Sequence, residues 1–131
     1  LVGVIFWWKI IYTKPQNVNP SQLDQLKITS TKPDPLDNAT ILPTQAIELT
    51  FNKPFEISRL KFRFDPEVPM ESKSSDGKLV GQTVVISFKK PLSLGSGYTL
   101  FIFPDPANKE KLPLDRDQYI YHFKTIGYRG V

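Results

Sequence analysis

The sequence predicts an all-β fold, and three observations predict it. Short runs that alternate apolar and polar residues recur from Leu26 onward, broken by Pro, Gly, Asn and Asp. Val, Ile, Thr, Tyr and Phe fill those runs, the residue types that suit a pleated, half-buried surface. The 12 prolines argue against helix, and they sit mostly at the ends of the runs and between them.

Seven strands follow in order. The first covers residues 26–31 and the second 46–51, where Ile47, Leu49 and Phe51 share one face against Glu48 and Thr50. The third covers 59–65, with Leu60, Phe62 and Phe64 inward and Arg59, Lys61 and Arg63 outward. A weaker fourth lies at 69–73, and the stretch from Glu71 to Gly81 reads as irregular apart from a turn at Ser75-Asp76-Gly77. The fifth covers 83–89, with Val84, Ile86 and Phe88 inward, and the sixth 98–103. The seventh covers 118–125, with Tyr119, Tyr121 and Phe123 on one face. Seven short strands in about 100 residues are the pattern of a seven-stranded antiparallel β-sandwich of immunoglobulin type. The chain has no cysteine pair and no Trp on the third strand, but Tyr98 follows Gly95-Ser96-Gly97 where a tyrosine corner belongs. Its ring is expected in the core and its hydroxyl on upstream backbone.

Ahead of the sandwich lies a different composition. Residues 1–12 are almost wholly apolar, with no period of two and no helical stripe, and they hold both tryptophans. Trp7, Trp8, Lys9 and Tyr12 are the residue types that settle at a membrane–water boundary. Twelve helical residues span about 18 Å against a hydrocarbon core of roughly 30 Å, so this stretch does not cross a bilayer unaided. The chain begins with Leu rather than Met. The expectation is therefore the outer end of a transmembrane helix or uncleaved signal anchor, with a buried first strand as the alternative. Residues 13–26, with Pro15 and Pro20 among Gln, Asn and Ser, read as a linker; 27–126 form the sandwich and 127–131 a tail. This organisation places the domain outside a cell membrane.

Composition excludes several chemistries. With no cysteine, disulfides, thiolate metal sites and cysteine nucleophiles are ruled out; with one histidine, so are His-rich metal sites. The net charge of +4 comes from scattered lysines rather than one basic element, which argues against a nucleic-acid partner. A Ser–His–Asp mechanism needs a base held by a third group, and His122 faces out of a strand between Tyr121 and Phe123. No glycine-rich phosphate loop is present. No catalytic residue, metal site or cofactor is expected.

Three motifs carry a resemblance. Pro35-Leu36-Asp37-Asn38-Ala39-Thr40 precedes Ile47-Glu48-Leu49-Thr50-Phe51-Asn52-Lys53-Pro54; Pro91-Leu92-Ser93-Leu94-Gly95-Ser96-Gly97-Tyr98 leads into a strand; and Tyr121-His122-Phe123-Lys124-Thr125 closes the domain. In this order, across residues 28–126, they resemble the bacterial Ig-like domain of the S-layer-protein type. The resemblance implies a surface, spacer or adhesion module with no catalytic residues to carry over. Copper-binding relatives of this sandwich need several His or Met ligands, whereas His122 and Met70 stand alone.

Candidate sites follow from strand order. If Tyr98, Leu100 and Ile102 point inward, Thr99, Phe101 and Phe103 point out, beside Lys61 and Arg63 on one side and Ile120 and His122 on the other. Aromatic rings flanked by cations make this a candidate binding face for an envelope protein or a glycan, unless linker or tail covers it. The loops at 52–56 and 104–117 are expected at the membrane-facing end. There Asp105, Asn108, Glu110, Asp115 and Asp117, with Glu56 opposite, offer oxygen ligands for calcium in a spacing that fits no EF-hand. Lys53, Lys109, Lys111 and Arg116 would face anionic lipid from the same end. Asn38-Ala39-Thr40 is a glycosylation sequon with meaning only in a eukaryotic secretory pathway.

Overall fold

Alternation along each run decides which face of a strand leaves water, and here two such faces meet. The computed structural model describes residues 25–108 and 112–127. One sheet has the order β1-β3-β6-β5, from Ile28–Lys32, Ile47–Glu56, Val80–Phe88 and Met70–Ser74. The other has the order β2-β8-β7-β4, from Ala39–Ile41, Tyr119–Thr125, Gly97–Pro104 and Leu60–Asp65. A single 3-10 turn, Ile57–Arg59, carries the chain from the first sheet to the second.

The core lies between the sheets. Ile47, Leu49 and Phe51 of β3 and Val84 and Ile86 of β6 face Leu100 and Ile102 of β7, all fully buried. Burying one such side chain contributes about 1.5–3 kcal/mol. Aromatic edges knit the two layers: Phe64 of β4 meets Phe88 of β6 at 5.3 Å and Phe123 of β8 at 6.0 Å, both edge-on. Tyr98 stacks on Phe123 at 5.7 Å, and its hydroxyl accepts the Ser93 N–H at 3.0 Å. The tyrosine corner is therefore formed as the sequence placed it.

Four details depart from the sequence reading. The described residues carry eight strands rather than seven, the added one being β2, and β2 pairs parallel with β8 through Ala39↔Phe123 and Ile41↔Thr125. The segment expected as a loop at 52–56 is instead the far end of β3. The ladder there slips between Thr50↔Thr83 and Phe55↔Gly81, and the slip absorbs Pro54, which has no N–H to give a ladder. β6 begins at Val80, three residues before the expected start. The supposedly irregular stretch from Glu71 to Gly81 is a hairpin, with β5 paired to β6 from Met70↔Phe88 to Ser74↔Val84. Its turn uses Gly77 at φ 77°, a left-handed conformation that a side chain would strain.

Entry into the sandwich is clamped by Asn52 in the slipped segment. Its Oδ1 accepts the Lys27 N–H at 3.1 Å and its Nδ2 donates to the Gln25 carbonyl at 3.0 Å. Leu26 is fully buried and bridges to Leu114. The 104–117 loop thus lies at the same end as the start of β1 and the end of β3.

Candidate functional site

β7 alternates with a period of two, and this sets the outer face. Tyr98, Leu100 and Ile102 are buried, while Thr99, Phe101 and Phe103 lie half-buried on the opposite side. In register beside them are Arg63↔Phe101 and Lys61↔Phe103 from β4, and Phe101↔Ile120 and Thr99↔His122 from β8. The structure therefore brings Phe101, Phe103, Lys61, Arg63 and His122 onto one face.

The side chains on this face are already engaged with one another. The Arg63 guanidinium sits 4.4 Å over the Phe101 ring, a contact of about 0.5–1 kcal/mol at an exposed site. Lys61 Nζ lies 3.9 Å from Asp105 Oδ2, a long pair with an exposed lysine and of little energetic weight. His122 Nδ1 and the Thr99 hydroxyl are 3.0 Å apart. Ile120 remains 44% exposed between these groups. The result is a small apolar strip flanked by cationic side chains. With Arg63 already over Phe101, a sugar ring must displace it to stack there.

The candidate calcium ligands Asp105 and Asp115 of the 104–117 loop, with Glu56 opposite, are engaged with other partners. Asp115 accepts the Tyr119 hydroxyl through Oδ1 and pairs with Arg116 through Oδ2 at 3.2 Å. Asp105 Oδ1 accepts the Ala107 N–H at 2.9 Å, and Glu56 accepts the Ser58 hydroxyl at 3.0 Å. Among the described residues no three His, Asp or Glu side chains gather at one metal-sized centre. Glu110, Lys109 and Lys111 lie outside the described residues, as do Trp7, Trp8, Lys9 and Tyr12. Of the cations expected to face lipid, Arg116 stacks 4.2 Å over the Tyr119 ring. No helix among the described residues is long and apolar enough to cross a membrane. Met70 and His122 lie on different sheets, on β5 and β8.

Sequence reasoning missed the network around Tyr119. Its hydroxyl donates to Asp115 and accepts the Ile28 N–H at 3.0 Å, 91 positions away, so it pins the start of β1 to β8 and the preceding loop. Burial, then the bond to Asp115, pushes the Tyr119 hydroxyl up to about 12. Between the ordinary tyrosine value near 10 and that value, the folded chain holds a proton that the unfolded chain has lost. Stability is therefore expected to be fully present below about pH 10 and to fall as pH rises toward about 12. Urea midpoints across this range should fall less steeply in Tyr119→Phe. An unchanged slope would show that Tyr119 is not the group being titrated. Burial raises Tyr121 as well, so some alkaline slope remains in the variant.

No protein-family model and no curated protein matches this chain. Solved structures do resemble it. PcoC, a methionine-rich copper resistance protein from Escherichia coli, overlays with a TM-score of 0.55 at 14% identity, covering 77% of this chain and 98% of that one. L,D-transpeptidase 3 from Mycobacterium tuberculosis overlays with a TM-score of 0.50 at 13% identity, covering 76% of this chain. This chain spans 37% of that enzyme's length, so the likeness is to one part of it. The S-layer protein rSbsC(31-844) is also similar, at a TM-score of 0.42 and 14% identity, covering 78% of this chain and 14% of that one. At these identities the likeness is one of fold, a β-sandwich. The overlay on the S-layer protein is too distant to bear further weight.

Proposed function

We propose that this chain is a non-catalytic immunoglobulin-like module, tethered at the outside of a cell membrane by its N-terminal apolar segment. It acts there as a structural or protein-interaction domain. The observation that carries the reading is the outer strip of the β2-β8-β7-β4 sheet, where Ile120 and two half-buried Phe rings lie among Lys61, Arg63 and His122. Such a strip suits a partner surface that is apolar at its centre and acidic at its rim. The chain's one histidine lies on this open face, with its Nδ1 3.0 Å from the Thr99 hydroxyl. The second reading is a carbohydrate or cell-wall module, which the half-exposed Phe101 and Phe103 favour; the guanidinium over Phe101 counts against it.

Cell fractionation of the full chain and of a version starting at Gln22, with protease access from outside, tests the tether. The full chain is expected in the membrane fraction and cleavable from outside, and the shortened chain in the soluble fraction. Equal solubility of both removes the tether. Retention of the full chain on purified envelope material is expected to drop in Phe101→Ala and Arg63→Glu. If free cell-wall glycan competes for that retention, the carbohydrate reading replaces the protein one.

A further inference from the structure

The end of the sandwich where the chain enters carries an apolar point with no core to join. Leu26 bridges to Leu114 at this end, the β3–β6 ladder finishes here at Glu56↔Val80, and β4 meets β7 here at Leu60↔Pro104. The turn from β5 to β6, residues 75–79, lies beyond that last ladder pair. It ends in Leu79, 84% exposed, followed by Val80, 52% exposed. Gly77, Lys78 and Leu79 share with Ile57, Ser58 and Leu60 the lining of a groove of about 510 Å³ between the edge strands β4 and β5.

The turn cannot withdraw these side chains. The Lys78 N–H donates to Asp76 Oδ1 at 3.1 Å, and the Lys78 carbonyl accepts the Ser74 hydroxyl at 2.6 Å. The Leu79 carbonyl accepts the Ile57 N–H at 3.1 Å. The backbone is thus held on both sides of Leu79, and its side chain stays in water unless something outside the domain covers it. Scattered single leucines are ordinary on a surface, but here two adjacent apolar residues sit on the tip of a bonded turn.

Position and charge select what covers them. The residues ahead of Gln25 join the fold at this end, and residues 1–12 are the almost wholly apolar stretch with Trp7, Trp8, Lys9 and Tyr12. From Tyr12 to Gln25 the chain reaches at most about 45 Å, so a bilayer holding residues 1–12 meets this end of the sandwich first. Asp76 and Lys78 leave the turn without net charge, and Glu56, opposite Val80, is matched by Lys53 on the same strand. A partner chosen by charge has nothing to read on such a tip, whereas entry into the lipid boundary needs only its apolar side chains. The exposed Leu42 and Leu94 serve as a comparison. They lie at the opposite end, where Leu92 N donates to the Pro43 carbonyl and Gly95 N to the Ile126 carbonyl.

We propose that the β5–β6 turn is a second membrane contact, in which Leu79 and Val80 enter the boundary region of the bilayer that holds the N-terminal segment. The proposal rests on the tether reading for its bilayer. Two points of contact fix which way the outer strip around Phe101 faces, which a tether at one point does not.

The chain's composition lets the two contacts be read separately. Both tryptophans lie in residues 1–12, so their fluorescence reports the tether alone, and with no native cysteine a single introduced one reports the turn alone. The test uses the full chain with Ser75→Cys carrying a nitrobenzoxadiazole label, added to phosphatidylcholine vesicles with or without a lipid bearing a nitroxide high on its acyl chain. The label at position 75 is expected to be quenched about twofold or more, and a label at Ser93→Cys, at the opposite end, to be unaffected. Leu79→Ser with Val80→Ser should abolish the quenching while circular dichroism stays that of the parent, since both side chains are exposed. Quenched tryptophans with an unquenched label at 75 would overturn the second contact and leave the tether standing. Unquenched tryptophans with a quenched label would remove the tether and keep the turn as a membrane contact, and quenching of neither overturns both. Equal quenching at 75 and 93, or quenching that survives the double serine change, overturns the proposal. So does quenching abolished by about 0.5 M NaCl, which would make the contact one of charge.

Discussion

Phe51→Ala is expected to destabilise the sandwich by about 3–5 kcal/mol. The ring is fully buried on β3 and meets Phe55 edge-on at 4.7 Å. Its backbone pairs with Ile28 of β1, and its carbonyl accepts the Gln82 side-chain amide at 2.9 Å. Position 51 opens the slipped part of the ladder, so the residues after it cannot close over a void by sliding along β6. The side chain is thus lost in full, with its transfer energy, its edge contact and a cavity left behind. A domain of this size is stable by about 5–15 kcal/mol, so this one change takes a large share. Urea unfolding should show the midpoint falling with the slope unchanged. A loss below about 1 kcal/mol would mean that the site collapses freely and that Phe51 does not hold the sheets apart.

The sequence made the fold legible where alternation was strong. Leu60, Phe62 and Phe64 on β4 and Tyr98, Leu100 and Ile102 on β7 mark an inward face, and β7 fixes the outward placement of Phe101 and Phe103. A period of two leaves only two registers, and an apolar core chooses between them. What stayed hidden had a physical cause in each instance. β2 is three residues long and pairs parallel with a strand more than eighty positions away, so no local pattern announces it. The end of β3 was masked by Pro54, which marks a strand boundary unless a ladder slip accommodates it. β5 looked irregular because its inward positions Ser72 and Ser74 are polar, on a strand bordering an open groove rather than a sealed core. The Tyr119 bond to Ile28 joins positions that only the finished topology brings together. The residues of the outer strip were therefore readable from the chain, while the groove required knowing which strands are edges.

Gly81→Ala is expected to cost about 1–3 kcal/mol, and its cause is a single contact. A Cβ at position 81 would lie 2.6 Å from Ser74 Cβ, a distance that real Cβ atoms essentially never show. Ser74 cannot yield easily. It is 2% exposed, and its hydroxyl lies 2.8 Å from Asp76 Oδ1 and 2.6 Å from the Lys78 carbonyl. Asp76 in turn accepts the Lys78 N–H at 3.1 Å. The Ser74 hydroxyl, followed by the Lys78 backbone, holds the Asp76 carboxyl below its ordinary range. Pushing Ser74 aside therefore disturbs the turn that joins β5 to β6 as well as the pairing of Gly81 with Phe55 on β3. A double-mutant cycle separates this clash from a general intolerance of side chains at position 81. Ser74→Gly alone loses the turn hydroxyl and is destabilising, but it removes the atom that the new methyl strikes. The double variant Gly81→Ala with Ser74→Gly should then be more stable than the sum of the single changes predicts, by about 1 kcal/mol or more. Strict additivity would show that the two strands are not in contact at this point.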